Sequence, residues 1–315
     1  MENIIQVKNL IKTFGAKTVV NSISFAVPKR SFYAFLGQNG AGKTTTINMI
    51  IGLLKHDGGE ILYNGSNNFA AFKERIGVVF QNNISDDLLT VEENLRTIGA
   101  LYCRPKSGAG DTQTNHIKTS AELKSRLAEV MSLLSLESIA KQRFKTLSGG
   151  QKRKVEIARA LFMSPEILFL DEPTTGLDPK TRADIWEIIH RLQSERGMTI
   201  FLTTHYMEET VSSDYVSIID KGAIIAAGSP AELKAQYAFD RLLITPKDAE
   251  MLERQLDDSA VKWHKTADTY TVRIGSAADS IDLLCSLKDN IRFYEAINGS
   301  MDDVFLNVVG KIQTQ

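Results

Sequence analysis

The stretch that decides the fold is Gly37-Gln38-Asn39-Gly40-Ala41-Gly42-Lys43-Thr44-Thr45, which matches the pattern G-x-x-x-x-G-K-S/T. An apolar run of strand length (residues 31–36) precedes it, and a segment of helical length (residues 45–51) follows it. Glycines let a backbone curl around an anion, and the helix that follows adds the positive end of its dipole. The sequence therefore predicts a phosphate-binding loop, and a plain glycine turn between strand and helix is the weaker interpretation.

The bulk composition is that of an ordinary soluble globular chain. It has 315 residues, 43% hydrophobic and 24% charged, with a formal net charge of −1, so one large or two smaller domains are expected and no global field favours nucleic acid or an anionic membrane. The two cysteines, Cys103 and Cys285, make neither a pair motif nor a metal cluster, which indicates a reducing compartment. No apolar run approaches the length of a membrane span, so we expect a cytoplasmic chain.

The pattern of the chain predicts two domains, residues 1–230 and 231–315. Residues 4–30 alternate apolar and polar, as in a small antiparallel sheet, and α/β alternation typical of a mostly parallel sheet resumes after residue 166, with a helix over 182–196. Between them, capping boxes at Thr90 and Thr119 open the helices of an inserted helical subdomain (about 88–165).

Two further stretches complete this organisation. Residues 104–118 are polar and rich in small residues, so we expect an exposed, mobile loop. Residues 231–315 show the order β-α-β-β-α-β plus a terminal helix, which predicts a small split-βαβ domain.

Candidate groups for phosphoryl transfer follow a second apolar run. Asp171 and Glu172 end the buried strand predicted over 166–171, so Asp171 could share a magnesium ion with Thr44 and Glu172 could orient or deprotonate water. A helix-capping turn is the weaker alternative. Gln81, at the carboxyl end of another predicted strand, is well placed for the ligand crevice of an open α/β sheet, although a solvent-facing glutamine is the simpler interpretation of that residue alone.

A second glycine-rich element, Leu147-Ser148-Gly149-Gly150-Gln151, stands directly before an amphipathic helix. A helix start with glycines and a serine can bind an anion by the same dipole argument, and Ser148 as a simple helix cap is the alternative. Basic residues around it, between 141 and 154, are interpreted as a solvated helix face rather than a nucleic-acid site, because no nucleic-acid reader motif accompanies them.

These segments, together with Leu177-Asp178 and His205, occur in the order and spacing of the ATP-binding-cassette (ABC) ATPases, which the chain resembles over roughly residues 2–230. The Leu-Ser-Gly-Gly-Gln element is specific to that family. The resemblance implies a P-loop NTPase fold of the cassette type, with an antiparallel β subdomain and an inserted helical subdomain, that uses ATP and Mg²⁺.

The resemblance also implies roles for individual residues. Glu172 would act as general base, His205 would contact the γ-phosphate, and Gln81 would sense metal and water. Phe14 would stack on adenine, although the family more often has tyrosine there and an aromatic near a hairpin is more often a core residue. The magnesium ligands implied are Thr44, Gln81 and Asp171.

The nucleotide site implied by the resemblance is shared between two protomers. Ser148 and Gly150 would close on nucleotide held by the opposite protomer, and Asp178 would lie at the dimer seam. The nucleotide-binding positions implied are Phe14, Gly37, Asn39, Gly40, Gly42, Lys43, Thr44, Thr45, Ser148, Gly149, Gly150, Gln151 and Asp178.

Within the family, the segments Thr-Thr-His-Tyr-Met-Glu-Glu (203–209) and Ser-Met-Asp-Asp-Val-Phe-Leu (300–306) resemble exporter ATPases of the daunorubicin- and bacitracin-resistance type. This implies efflux of a drug, antibiotic, lipid-like or toxin molecule through a separate permease of about six membrane spans. The chain would then bind that permease as a dimer at the cytoplasmic face of the membrane.

Three other functions would also use a phosphate-binding loop. A soluble cassette ATPase acting on ribosomes or DNA usually has two cassettes or a long coiled-coil insertion, and an importer ATPase would have the same core chemistry. A plain P-loop kinase would leave the 148–150 element unexplained. The five histidines show no ligand spacing, so no structural metal cluster is expected.

Overall fold

The structure, a computed structural model, describes residues 2–101, 119–275 and 277–313. The chain divides into two compact units, Met1–Ala227 and Gly228–Gln315. The polar stretch 104–118 for which the sequence predicts a loop lies outside the described residues.

The first unit contains nine strands and six helices in its described part. In chain order they are β1 (Asn3–Phe14), β2 (Lys17–Pro28), β3 (Phe32–Leu36), α1 (Lys43–Ile50), β4 (Gly58–Tyr63), α2 (Phe69–Phe72), β5 (Ile76–Val79), α3 (Val91–Leu101), α4 (Ser120–Leu133), α5 (Gly149–Leu161), β6 (Ile167–Asp171), α6 (Pro179–Arg196), β7 (Thr199–Thr204), β8 (Tyr215–Asp220) and β9 (Ala223–Gly228). Short 3₁₀ turns occur at Lys73–Arg75, Glu137–Ile139, Phe144–Thr146 and Met207–Thr210.

A six-stranded sheet in the order β5-β6-β7-β3-β8-β9 forms the centre of this unit. Strand β3 pairs in parallel with β7 and β8, and β6 pairs in parallel with β5 and β7. Every residue of β3, β6 and β7 is buried, as expected of parallel strands covered on both faces. The predicted, mostly parallel sheet is confirmed.

The arrangement of this sheet positions the candidate site. Four neighbouring strands, β5, β6, β7 and β3, end at the same edge because they are parallel. The residues that follow them are Gln81, Glu172, His205 and the loop 37–45. Segments far apart in sequence therefore meet at one edge of the sheet.

The predicted antiparallel sheet is also present, in the order β2-β1-β4. Phe25 of β2 anchors it to the central sheet, because its ring centroid lies 5.6, 5.4 and 6.0 Å from those of Tyr33, Phe35 and Phe201. One continuous apolar core therefore includes both sheets.

The predicted helical region carries its helix caps. The Thr90 amide donates to Glu93 Oε2 (2.8 Å) and the Glu93 amide to Thr90 Oγ1 (3.2 Å), which starts α3. Thr119 Oγ1 accepts from the Glu122 amide (3.1 Å) at the start of α4. The helix predicted over 182–196 begins earlier than expected, at Pro179, since the preceding Asp178 caps it and proline suits its first turn.

The second unit has the predicted β-α-β-β-α-β order. Its elements are α7 (Pro230–Tyr237), β10 (Asp240–Pro246), α8 (Ala249–Asp258), β11 (Trp263–Thr266), β12 (Thr269–Ile274), α9 (Ala277–Leu287), β13 (Ile291–Ile297) and α10 (Met301–Gln313). The strands form an antiparallel sheet in the order β11-β12-β10-β13 over its own apolar core. No helix in the described part of either unit has the length and apolarity that crossing a membrane requires.

Candidate nucleotide site

The loop 37–45 is built so that it exposes backbone N–H groups. Gly40 (φ 82°) and Gly42 (φ 108°) adopt left-handed backbone that favours glycine, and a Cβ on Gly42 would lie 2.8 Å from the Val19 carbonyl oxygen. Gly42 is also the N-cap of α1, and as a glycine it has no side chain that could cap the helix. The first amides of α1 are thus left for an anion, as at other phosphate-binding helix starts.

Lys43 lies buried at the start of α1. Its Nζ donates to the carbonyl oxygens of Gly37 (2.8 Å) and Gln38 (3.1 Å) and lies 3.0 Å from Glu172 Oε1. The side chains of Lys43 and Glu172 are only 4% and 7% exposed, so little water screens this ion pair.

A group of oxygen atoms surrounds Asp171, the last residue of β6. Thr44 Oγ1 donates to Asp171 Oδ1 at 3.3 Å, and Thr203 Oγ1 donates to the same oxygen. Thr203 is adjacent because it lies opposite Asp171 in the β6–β7 register. Carboxylate and hydroxyl oxygens are ligands that Mg²⁺ prefers, so Thr44 and Asp171 fit this ion.

Glu172 lies where the other groups converge. Its backbone is left-handed (φ 47°), and its amide donates to the Thr203 carbonyl (3.1 Å). Its Oε2 accepts from Gln81 Nε2 (3.4 Å) and Thr175 Oγ1 (3.3 Å). The carboxylate therefore contacts the loop 37–45, through Lys43, as well as Gln81 and Thr175.

The charge of Glu172 is stabilised in this environment. Burial by itself favours the neutral acid, but the hydrogen bond and positive charge of Lys43, with His205 nearby, outweigh it and hold the pKa of Glu172 below its ordinary value of 4.5. The carboxylate is therefore ionised at neutral pH, as a general base requires.

His205 completes this group from the end of β7. Its Nδ1 lies 3.2 Å from Glu172 Oε2, at an angle that does not make a hydrogen bond. Its ring packs against Tyr206 with centroids 4.1 Å apart, and Arg182 lies 4.6 Å from the Tyr206 ring centroid.

The structure thus brings Lys43, Thr44, Gln81, Asp171, Glu172 and His205 together, although their roles stay predictions. A cavity of about 250 Å³ lies beside them. It is lined by Val19, Asn39, Gly40, Gly42, Lys43, Thr44, Thr45, Gln81 and Glu172.

The other predicted nucleotide contacts lie outside the lining of this cavity in the described chain. Ser148 caps α5 in a full capping box with Gln151, so the helix-cap interpretation holds for the single chain. Gly150 packs closely on α6, since a Cβ added to it would lie 2.2 Å from Thr181 Cγ2. Asp178 caps that same helix. Phe14 is 50% exposed, with Lys12 Nζ 5.3 Å from its ring centroid.

Sequence reasoning missed the residues that support this site. Thr203 and Thr175 contact the two carboxylates, and buried Glu209 accepts from Thr174 and Thr204, which flank them. The sequence signal that could have found them is the two pairs of threonines, residues 174–175 and 203–204, that lie close to Glu172 and His205 in the chain. The prediction of a solvated basic face is wrong for Arg153, which is 6% exposed and hydrogen-bonded to the backbone of the Gln81 segment.

Two family models match separate parts of the chain. A family model described as "ABC transporter" matches residues 20–175. A second, "ATP-binding protein DrrA1-3-like, C-terminal domain", matches residues 228–309.

Curated relatives cover most of the chain. The linearmycin resistance ATP-binding protein LnrL of Bacillus subtilis is 40% identical over 76% of this chain and 73% of its own length. The daunorubicin/doxorubicin resistance ATP-binding protein DrrA of Streptomyces peucetius is 32% identical over 97% and 92%. The Nod factor export ATP-binding protein I of Burkholderia lata is 35% identical over 98% and 97%.

Solved structures give the same result. CbiO1 of Clostridium perfringens, part of the ABC transporter complex cbiONQ, matches with a TM-score of 0.64 and 26% identity over 82% of this chain and 96% of its own. The dimeric cassette MJ0796 bound to ADP and Pi matches with a TM-score of 0.62 and 26% identity over 71% and 98%.

Proposed function

The chain belongs to the ABC transporter ATP-binding proteins and is an ATPase of that family, and we propose that it powers an exporter as a dimer bound to a separate membrane permease. The observation that carries the chemistry is the position of Glu172. Its ionised carboxylate lies within 3.5 Å of Lys43, Gln81 and His205, at the mouth of the phosphate loop.

In the proposed reaction, Glu172 accepts a proton from a water molecule whose oxygen attacks the γ-phosphorus of ATP. The bond from that phosphorus to the bridging oxygen breaks, and ADP leaves with the electron pair. Lys43 and the amides of the loop stabilise charge on the phosphates, and His205 contacts the γ-phosphate. Mg²⁺, held by Thr44, Asp171 and Gln81, would neutralise phosphate charge.

Two copies are proposed to form the complete site. Ser148 and Gly150 lie at a helix start but outside the cavity around Lys43 in the described chain, so their anion-binding capacity is available to a second copy. The similar cassette MJ0796 was solved as a dimer, which supports this assembly. Asp178, at the neighbouring helix start, would lie at the seam.

The permease is proposed to dock beside the Gln81 segment. A groove of about 420 Å³ runs between β5 and the helical region, and its apolar lining includes Leu53, Phe80 and Ile98. Leu53 is 65% exposed, and Ile84 and Leu88 in the loop after Gln81 are 50% and 67% exposed. Exposed apolar side chains in this segment and in the groove support a protein contact here.

The cargo is proposed to be a drug, antibiotic, lipid-like or toxin molecule. The names of the relatives support this, since they include linearmycin resistance, daunorubicin/doxorubicin resistance and Nod factor export. The same proposal places this chain at the cytoplasmic face of the cell membrane, where it would bind the permease.

Copurification tests the proposal. The tagged chain, expressed in its native host, is expected to bring down a polytopic membrane protein of about six spans, and candidate cargo is expected to stimulate ATP hydrolysis by the complex. Leu88→Glu should abolish the association while the free chain still hydrolyses ATP, whereas Ile281→Glu, at a site 62% exposed on the second unit, serves as control. Recovery of ribosomes or nucleic acid instead of a membrane protein would contradict the proposal.

A further inference from the structure

Helix α5 carries three charged side chains on one buried stripe. Arg153, Glu156 and Arg159 follow each other at intervals of three residues, so they lie on the same face of the helix. Arg153 is 6% exposed and Glu156 is fully buried, while the Arg159 side chain is 15% exposed. Burying a charged side chain is costly unless it has hydrogen-bond or ion-pair partners. The partners of these three side chains therefore show which part of the chain the helix face contacts.

These partners are backbone groups of the segment that carries Gln81. Arg153 donates from Nη1 to the Phe80 carbonyl (2.7 Å) and from Nη2 to the Gln81 carbonyl (3.1 Å). Glu156 Oε1 accepts from the amides of Ile84 (3.0 Å) and Ser85 (2.9 Å). The segment 80–85 is therefore fastened at both ends to a single helix.

The rest of the stripe supports the same contact. Glu156 Oε2 accepts from Arg159 Nε (3.1 Å), which fixes the carboxylate, and Arg159 Nη2 approaches the Val78 carbonyl (3.4 Å) in β5. Hydrogen bonds between charged side chains and backbone are stronger than neutral ones. The stripe thus holds the end of β5 and the segment after it as one body with α5.

The side chain of Gln81 depends on this support. Its hydrogen bond to Glu172 Oε2 is long, at 3.4 Å, so a small shift of the backbone at residue 81 would break it. The amino-terminal end of α5 is capped by Ser148, the residue proposed to meet nucleotide on the second copy. One helix therefore joins the support of Gln81 to the 148–150 element.

We propose that Arg153 and Glu156 are positioning residues that fasten the Gln81 segment to α5, so that Gln81 reaches Glu172 only while α5 is in place. This inference rests on the proposed roles of Gln81 and Glu172 in hydrolysis. Arg153 and Glu156 act through Gln81, and removing either should affect turnover more than nucleotide binding.

The test is a double-mutant cycle in the full chain, with ATP hydrolysis as the readout. Glu156→Gln keeps the shape of the side chain but removes its charge. Because this weakens the support of segment 80–85 by about the energy of one charge-assisted hydrogen bond, kcat should fall by about 10-fold with little change in KM. Arg153→Lys, which can reach only one of the two carbonyls, should give a smaller loss of kcat. Glu166→Gln, in an exposed ion pair with Arg75, is the matched control.

The decisive arm repeats Glu156→Gln in a Gln81→Ala background. If Glu156 acts through Gln81, the second substitution should cause no further loss of kcat. If the two losses multiply, or if Glu156→Gln alone has wild-type kcat, the positioning role is wrong. If Gln81→Ala itself leaves kcat unchanged, the proposed role of Gln81 fails instead, so the two failures are distinguishable.

Amide hydrogen exchange gives a structural readout of the same contact. In Glu156→Gln, the amides of segment 80–85 should exchange faster, because Ile84 and Ser85 lose a charged acceptor, whereas those within α5 should be unchanged. Unchanged protection of segment 80–85 would overturn the proposal, even in a variant with lower activity.

Discussion

Replacing Glu172 by glutamine is expected to separate catalysis from binding and stability. The substitution keeps the side-chain shape but removes the negative charge that lies 3.0 Å from Lys43 Nζ. Loss of a general base should lower kcat by about 10²–10⁴-fold. Loss of the buried ion pair should also destabilise the chain in the absence of nucleotide.

The size of the stability effect follows from the remaining partners of Lys43. A hydrogen bond to a charged group contributes roughly 1.5–3 kcal/mol. The lower end applies, because Lys43 keeps the carbonyls of Gly37 and Gln38 as acceptors. For a unit of this size, about 1.5 kcal/mol corresponds to a Tm lower by roughly 3–6 °C.

ATP should reverse the sign of this effect. The carboxylate competes with phosphate for Lys43, so its removal should strengthen ATP binding, and an ATP-bound dimer should accumulate because turnover is blocked. Thermal unfolding with and without MgATP, gel filtration and a coupled ATPase assay measure the three outcomes, with Glu166→Gln as control. A Glu172→Gln variant that hydrolyses ATP at near wild-type rate would refute the assignment of the base.

Three further outcomes are expected. Gly150→Ala should lower Tm in thermal unfolding, because the new Cβ would lie 2.2 Å from Thr181 Cγ2. Gly149→Ala, whose new Cβ would lie 3.4 Å from its nearest neighbour, should lower Tm by less, and equal losses would contradict the packing argument. Burial raises the pKa of Glu209 above 4.5, although hydrogen bonds from two threonines oppose the shift. Because the folded chain then holds this proton more tightly than the unfolded chain, the free energy of unfolding falls as pH rises through that pKa. Glu209→Gln should remove this fall and be at least as stable as wild type at pH 8 by denaturant titration, and a large loss there would show that the charge is needed. Phe14→Ala should raise the KM for ATP several-fold, by loss of one stacking contact of about 1 kcal/mol, with kcat unchanged; an unchanged KM would exclude the predicted adenine contact.

Much of the site could be predicted because its residues follow strands. Gln81, Glu172 and His205 each lie at the carboxyl end of a predicted strand, and parallel strands bring such ends to one edge of a sheet. Short-range signals also sufficed for the helix starts, where Ser148 and Thr90 carry their capping partners three residues ahead. The fold class follows from these local patterns.

The support of Gln81 could not be predicted in the same way. Arg153 stands between Lys152 and Lys154, and a run of three basic residues on a helix gives no sign of which one points inward. Its acceptors are carbonyl groups 73 and 72 residues away, and every residue carries such a group. Only the packing of α5 against the end of β5 selects Arg153 for burial.

The central claim, that two copies share each nucleotide site, is tested most directly by mixing two inactive variants. Lys43→Ala removes the phosphate contact, and Ser148→Arg blocks the helix start, so each variant alone should lack ATPase activity. A mixed dimer contains one site with an intact Lys43 from one copy and an intact Ser148 from the other. Mixing should therefore restore roughly a quarter of wild-type activity, since about half of the dimers are mixed and each has one working site. No recovery on mixing, or full activity of Ser148→Arg alone, would contradict the shared site.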